Sequence, residues 1–407
     1  MIQLFKMAFR NLGRNKRRSF FSALAVGLGL ALLVLMASFI EGEMNSAIDT
    51  TIKLQTGHLQ VRLSNYSEAK TSLKWADLIE NPAAIVAQIE SVPQVKLATP
   101  RLYASGIVAV GDETAGVRIM GIDPASKVNV PFQDGLIKGQ FITADDREGL
   151  LIGAPLAEKL RLEVGNQINL SANTSDGDVD EQSFTIRGIY TTQTYGFDAF
   201  TVLMPLVKAQ TFTRTENHAS TIFIMLKDQY QAEAVAAALQ SPNFEVVTWI
   251  KMNELILQTE QMANSYMVLL YLIVLGITAT VVVNTLIMAV YERTREIGIL
   301  AAIGMKGRRI MALFLAESSL LAVGGILIGL TIGILASLYF QKYGFPFDIG
   351  KMAITGILLN NIVYTKLTLQ DTVLLSVLAL IVTLVAGLYP AVLAARMEPV
   401  EALRGGK

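Results

Sequence analysis

Four long stretches of this chain carry almost no charge, and nothing else in it constrains the fold as strongly. Phe20 to Ile40 and Tyr266 to Val290 are uncharged, Ile310 to Phe340 is broken only by Glu317, and Thr372 to Tyr389 is uncharged with Pro390 placed to end it. A helix rises about 1.5 Å per residue, so about 20 apolar residues cross the roughly 30 Å of hydrocarbon in a bilayer. Each run has about that length. The sequence therefore predicts a membrane protein with four transmembrane α-helices.

The charges between the runs set an orientation, because basic residues favour the cytoplasmic side. Lys6, Arg10, Arg14, Lys16, Arg17 and Arg18 precede the first run, whereas Glu41, Glu43 and Asp49 follow it. Arg293, Arg295, Lys306, Arg308 and Arg309 lie between the second and third, and Arg396, Arg404 and Lys407 follow the fourth. Both termini and the middle loop are expected in the cytoplasm, and an even number of spans agrees. One outer loop runs against the rule, since Lys342, Lys351 and Lys366 outnumber Asp348 and Asp371 there. The first run exceeds a signal-peptide core in length, and no small-x-small cleavage site follows it, so it reads as an uncleaved anchor.

These readings divide the chain by number. Residues 1–19 form a cytoplasmic basic amphipathic segment, 20–41 the first span, and 42–262 a large α+β extracytoplasmic domain inserted between the first and second spans. The second span is 263–291, the cytoplasmic loop 292–309 and the third span 310–340. An extracytoplasmic loop at 341–371, a fourth span at 372–390 and a cytoplasmic tail at 391–407 complete it. Within the large domain, residues 42–125 with 216–260 are expected to form a membrane-proximal part and 126–215 an inserted β-rich part.

The pattern of that domain is alternately extended and helical. Gly57 to Leu63, Leu102 to Val110, Ala115 to Ile122, Thr221 to Leu226 and Phe244 to Trp249 read as strands. Asn81-Pro82 opens a helix to about Glu90, and Gln229 to Gln240 is alanine-rich and helical. Pro155 to Leu160 is a short helix, and Ile168 to Ser171 with Ser183 to Tyr190 form a hairpin around Asp176 to Glu181.

Much chemistry is excluded. The chain has no cysteine, which removes disulfides, zinc thiolates and cysteine nucleophiles. Its formal net charge of +0 gives no support to a nucleic-acid partner. An EF-hand loop starting at Asp176 needs glycine sixth and glutamate twelfth, but Glu181 and Arg187 stand there, so a solvated hairpin tip is the better reading. His58 and His218 have no metal or catalytic spacing, and no serine sits in a G-x-S-x-G turn. No catalytic, metal or cofactor site is expected, and the chain is not expected to be an enzyme.

Small residues mark helix contacts, since lipid supplies no hydrophobic drive between spans. Ala23, Gly27 and Ala31 repeat every four residues in the first span, and Gly325, Gly329 and Gly333 do so in the third. They read as helix-packing seams within a subunit or between subunits, or as the ordinary glycine content of spans. Glu317, acidic inside a span, either pairs with a cation, takes part in coupling, or snorkels to the interface.

The middle loop, Glu292 to Met305, has a charged start, then Ile297, Leu300 and Ile303 three apart as one apolar face. That is a surface helix or a docking helix. Its sequence, ERTREIGILAAIGM, followed by a basic turn and a glycine-rich span, resembles the FtsX-like permeases of ABC transporters, of the MacB and lipoprotein-releasing type. The opening FKMAFRNLGRNKRRS, the ending Tyr389-Pro390-Ala391, Ala394-Ala395-Arg396 and Glu398-Pro399-Val400-Glu401-Ala402-Leu403-Arg404, and the segments GLLIGAPLAEKLRLEVGNQINL and FTIRGIY are similar to the same family.

The resemblance implies a permease subunit that couples ATP hydrolysis on a separate cytoplasmic ABC ATPase to shape change in the exposed domain. It would export or release a lipoprotein, lipid-linked molecule or amphiphile from a bacterial inner membrane. No G-x-x-x-x-G-K-[ST] loop occurs here, so ATP and magnesium belong to the partner ATPase, unlike MacB, which carries its own. A second permease subunit, in a homo- or heterodimer, and a periplasmic protein are further implied partners. Glu292, Arg293, Arg295 and Glu296 would be polar contacts to the ATPase. Ile297, Leu300 and Ile303 would be its apolar anchors, and Gly298 and Gly304 would permit close approach. The FtsX branch offers an alternative, in which the chain transmits motion to an extracytoplasmic partner and carries nothing.

Overall fold

A computed structural model describes residues 2–67, 73–346 and 361–398. Among them, four helices are long and apolar enough to cross a membrane, beginning at Lys16, Glu254, Gly307 and Leu369. The described residues form two compact units. One takes in the chain up to Glu43, then Glu260–Phe345, then the chain from Val363; the other takes in Met44–Thr259 with the described ends of Pro346–Ile362. Asp348, Lys351, Arg404, Lys407 and the ending motif from Pro399 onward lie outside the described residues.

The helical unit is built on α1 (Ile2–Arg14), α2 (Lys16–Thr51), α5 (Glu254–Glu292), α6 (Thr294–Ala302), α7 (Gly307–Tyr343) and α8 (Leu369–Ala395); α3 (Pro82–Glu90) and α4 (Ala232–Leu239) belong to the other unit. At about 1.5 Å per residue, the 36 residues of α2 and 39 of α5 exceed a bilayer core. Their surplus belongs to the sheet-bearing unit, which starts at Met44 and ends its main segment at Thr259. Pro390 does not end the last helix as expected. It sits inside α8, which continues to Ala395. A proline there leaves a carbonyl one turn earlier unbonded, a loss that packed spans absorb.

The two small-residue stripes meet each other. A Cβ built on Gly329 would come within 2.6 Å of the Gly27 carbonyl oxygen, and one on Gly325 within 2.9 Å of the Ala23 carbonyl. Gly333 faces Ala31 at 3.2 Å, and Gly27 faces the Gly325 carbonyl at 2.9 Å. All six residues thus form one seam between α2 and α7 of the same chain, where the four glycines let the backbones approach. Leu30, Leu33 and Val34 of α2 pack beside it with Leu275, Leu375 and Ala379.

The other unit carries a ten-stranded sheet, in the order β10-β1-β9-β2-β3-β8-β5-β7-β4, with β6 pairing both β2 and β7. In chain order these are β1 (Leu59–Arg62), β2 (Val95–Val110), β3 (Glu113–Ile122), β4 (Leu136–Gly139), β5 (Gly149–Gly153), β6 (Gln167–Asn173), β7 (Val179–Tyr190), β8 (Thr201–Pro205), β9 (Thr221–Leu226) and β10 (Glu245–Thr248). The pairings β2–β3, β3–β8, β8–β5, β5–β7, β7–β6 and β6–β2 return to their start, so six strands close into a barrel. Closure removes the free edges that invite wrong pairing.

Alternation follows from the closure. Leu102, Ala104 and Val108 of β2, Val117 and Ile119 of β3, Leu170 of β6 and Phe184 and Ile186 of β7 fill the interior. Tyr103, Met120, Leu151, Tyr190 and Leu203 point outward into another core with Phe132 and Phe197. The first half of β2 serves different neighbours. Ala98 and Val95 join Leu59, Val61, Ile222 and Ile224 in a separate core with Ile89, Val235 and Ala236 of α3 and α4.

Beyond Thr51 the first long helix continues as a π-helical turn, Ile52–Thr56, ended by Gly57 at φ +65°. The start of α5 lies beside this exit. Trp249 N–H donates to the His58 carbonyl, Leu59 pairs with Thr248, and Asn253 reaches Thr56 Oγ1 at 3.5 Å.

Candidate coupling interface

The loop between α5 and α7 is a short helix with a sharp stop. Arg293 breaks the helical backbone (φ −114°, ψ 17°), and α6 starts at Thr294. At the other end Gly304 has φ +94° and donates its N–H to the Ala301 carbonyl, while Met305 N–H donates to Leu300. This left-handed cap needs glycine. Gly304 therefore ends the helix, and a Cβ there would meet open space.

The expected apolar face is rearranged. Ile297 is buried against Val290, Ile310, Phe314, Ala391 and Ala394, with Ala301 and Met305 beside it. Ile303 is 80% exposed and Ile299 43%. Six residues at about 3.6 per turn place Ile297 and Ile303 roughly 120° apart, so they share no face. Leu300 is half-buried and Gly298 buried. The outward side of α6 carries Arg295, Ile299, Ala302 and Ile303, and exposed Lys306, Arg308 and Arg309 follow.

Three of the four polar residues expected to meet a partner are engaged within the chain. Arg293 is buried, its Nη1 3.2 Å from Glu317 Oε1 and its Nη2 donating to the Asn11 carbonyl at 2.8 Å. Asn11 Nδ2 donates to the same Glu317 oxygen at 2.7 Å. Glu292 accepts from Arg18 at 2.6 Å and from Asn15 at 3.1 Å, and Glu296 pairs with Arg14 at 2.6 Å. Arg295 makes no ion pair with a described residue.

So α1 is fastened under α6. Its Ala8 is buried against Leu313 and Ala316 of α7, with Leu4 and Met7 alongside, while Phe5, Phe9, Lys6 and Arg10 are exposed. Asn11 and Arg14 close α1, Asn15 stands in the break after it and Arg18 lies in the first turn of α2, so the group straddles the junction of two helices. The match of Arg14, Asn15 and Arg18 to Glu292 and Glu296 was the signal available in the sequence, although 274 residues separate Arg18 from Glu292.

The residues weighed for metal or catalysis have structural neighbours. His58 Nδ1 accepts from Leu226 N–H at 2.9 Å, and burial lowers its pKa. His218 packs edge-on to Trp75 at 4.4 Å, and Asp176 and Asp178 pair with Arg214. Among the described residues no three His, Cys, Asp or Glu side chains group as metal ligands do.

Comparison with known proteins finds two family models along the chain. The MacB-like periplasmic core domain matches residues 19–241, more than half of the chain, and the FtsX-like permease C-terminal matches 268–399. The Haemophilus influenzae lipoprotein-releasing system transmembrane protein LolE is 24% identical over 398 residues, spanning 94% of this chain and 93% of that one. The Neisseria meningitidis lipoprotein-releasing system transmembrane protein LolC is 24% identical over 98% of both chains. The macrolide export ATP-binding/permease protein MacB of Bdellovibrio bacteriovorus is 23% identical over 99% of this chain, which spans 62% of its length. With both halves matched in order, this chain belongs to the MacB-type, FtsX-like permease family of ABC transporters.

Proposed function

We propose that this chain is the permease subunit that receives force from a separate cytoplasmic ATPase through α6 and passes it to the sheet-bearing unit. The observation that carries the reading is the outward side of α6. Arg295, Ile299 and Ile303 are exposed there on a helix whose inner side is buried and whose entry is fixed by Arg293. A surface of that kind, apolar at its centre and basic at its rim, suits a partner and not bulk water. The basic residues of α1 and of the α6–α7 turn support placing both on the cytoplasmic side, with residues 42–262 outside, between the first and second spans.

In this reading two permease subunits, alike or different, meet two ATPase subunits that hold ATP and magnesium. Closure of the ATPases displaces α6. Because α6 is tied to α7 and α1 through Arg293 and Glu317, the displacement reaches two further helices at once. The exposed unit then changes shape and releases its cargo. The names of the relatives point to lipoproteins or amphiphilic small molecules as the cargo class.

Co-purification with the cognate ABC ATPase tests the contact. Ile303→Asp is expected to abolish it, and unchanged capture would remove α6 as the docking element. Deleting that ATPase is expected to leave lipoproteins in the inner membrane or raise sensitivity to amphiphiles. Intact capture with neither phenotype would instead assign the chain to transmitting motion without transport.

A further inference from the structure

Arg101 is the largest fully buried side chain of the sheet-bearing unit, with no measurable exposure. It forms no ion pair with any described residue. A guanidinium in such a place is costly unless something offsets its lost hydration. Two neighbours do so. Its Nη1 donates to the Leu54 carbonyl at 2.7 Å, and its carbon Cζ lies 3.8 Å from the centre of the Phe223 ring. Its Nε and Nη2 have no hydrogen-bond partner among the described residues.

The Leu54 carbonyl belongs to the π-helical turn that ends the first long helix. Carbonyls of a last turn lack partners within the helix and carry the negative end of its dipole. Arg101 therefore caps that helix from 47 residues away, on β2, opposite Thr221 of β9. The Leu54 side chain is buried in the core that holds Tyr103, Met120 and Leu203. Side chain and carbonyl of one residue are thus both gripped by the sheet. The π turn beside them is held by the Gly57 N–H to Ile52 carbonyl bond at 2.8 Å. Withdrawing the helix end would strand a buried cation with only a ring face beside it.

We propose that Arg101 is a positioning residue that locks the carbonyl end of α2 to the sheet, so that helix end and sheet move as one rigid piece. Displacement carried along α2 is then delivered to β2 and β9 and is not absorbed at the π turn. The use of this lock in transport rests on the function proposed above; the lock itself does not.

The chain's lack of cysteine gives a clean background for the test. Spin labels at Asp49→Cys and Glu113→Cys report the distance from the helix end to the sheet in the full-length protein in nanodiscs. A single narrow distribution is expected, and Arg101→Met is expected to broaden it about twofold or more. Arg101→Lys, which keeps the charge but loses the planar fork, serves if the methionine variant fails to fold. Widths equal to the parent's in whichever variant folds would overturn the lock. In the complex with the ATPase, Arg101→Lys is expected to keep ATP turnover while lowering cargo release about tenfold. Broadened distances with normal release would leave the lock standing and sink its role in transport.

Discussion

Arg293 Nη1 lies 3.2 Å from Glu317 Oε1, both side chains at most 6% exposed, and the pair joins the entry of α6 to the middle of α7's first turns. Asn11 of α1 bonds to both partners. Removing one member of a buried pair strands the other, at a cost of about 3–5 kcal/mol, whereas replacing both with apolar residues is often close to neutral. Arg293→Met is therefore expected to lower the thermal midpoint of the detergent-solubilised protein by several degrees. Arg293→Met with Glu317→Leu is expected to recover most of the loss. Equal destabilisation in single and double variants would mean that the two charges do not depend on each other.

The seam between α2 and α7 predicts a contrast between neighbouring glycines. A Cβ on Gly329 would come within 2.6 Å of a backbone oxygen, whereas one on Gly324 would sit 3.8 Å from the Ala23 Cβ. Gly329→Ala is expected to cost about 1–3 kcal/mol by overpacking, and Gly324→Ala to be neutral or slightly stabilising. Thermal unfolding of the two variants side by side measures the difference.

Ile297 and Ile303 should separate folding from docking. Ile297→Asp puts a charge into the core beside Phe314 and is expected to destabilise the protein by more than 3 kcal/mol or so. Ile303→Asp, on a side chain 80% exposed, is expected to leave the melting curve within about 0.5 kcal/mol of the parent while losing the ATPase. A drop in stability from Ile303→Asp would show that the residue is covered by the chain itself.

Asp198 predicts a pH dependence. Burial raises its carboxyl from 3.8 to about 6, against opposing hydrogen bonds from Thr192 and Thr191. An acid with a raised folded pKa stabilises fully below its unfolded pKa and loses that contribution as pH climbs through the folded one. The rise corresponds to roughly 3 kcal/mol. Stability is expected to fall between about pH 4 and 6 and then level off on this account, and Asp198→Asn is expected to flatten that slope. Melting curves of parent and variant across pH 4–8, taken as a difference, isolate this group from the other carboxylates.

The spans were legible because hydrocarbon is an unforgiving solvent; a run without charge has few other places to go. The strands from Leu102 to Ile122 were legible for a similar reason, since one face of each is buried and alternation records it. Ring closure was not. Alternation tells which residues face a core, yet it carries nothing about which strand lies next to which, and the pairing of Gly106 with Ala172 spans too much chain to leave a local mark. The loop shows the same limit at a smaller scale. A spacing of three suggested one face for Ile297, Leu300 and Ile303, but a helix turns through 3.6 residues and sends the last of them outward. Arg101 left no trace at all. In the sequence it is a cation in a strand, and only the arrival of Leu54 and Phe223 explains why it can be buried.

The sixteen residues of β2 bear on how this unit could be cut. A single unbroken backbone lends hydrogen bonds first to β9 and then to β3 and β6. No truncation can free either hydrophobic cluster without stripping the other of a ladder. Fragments ending inside Val95–Val110 should be unable to fold, because each would leave one of the two clusters without its shared strand.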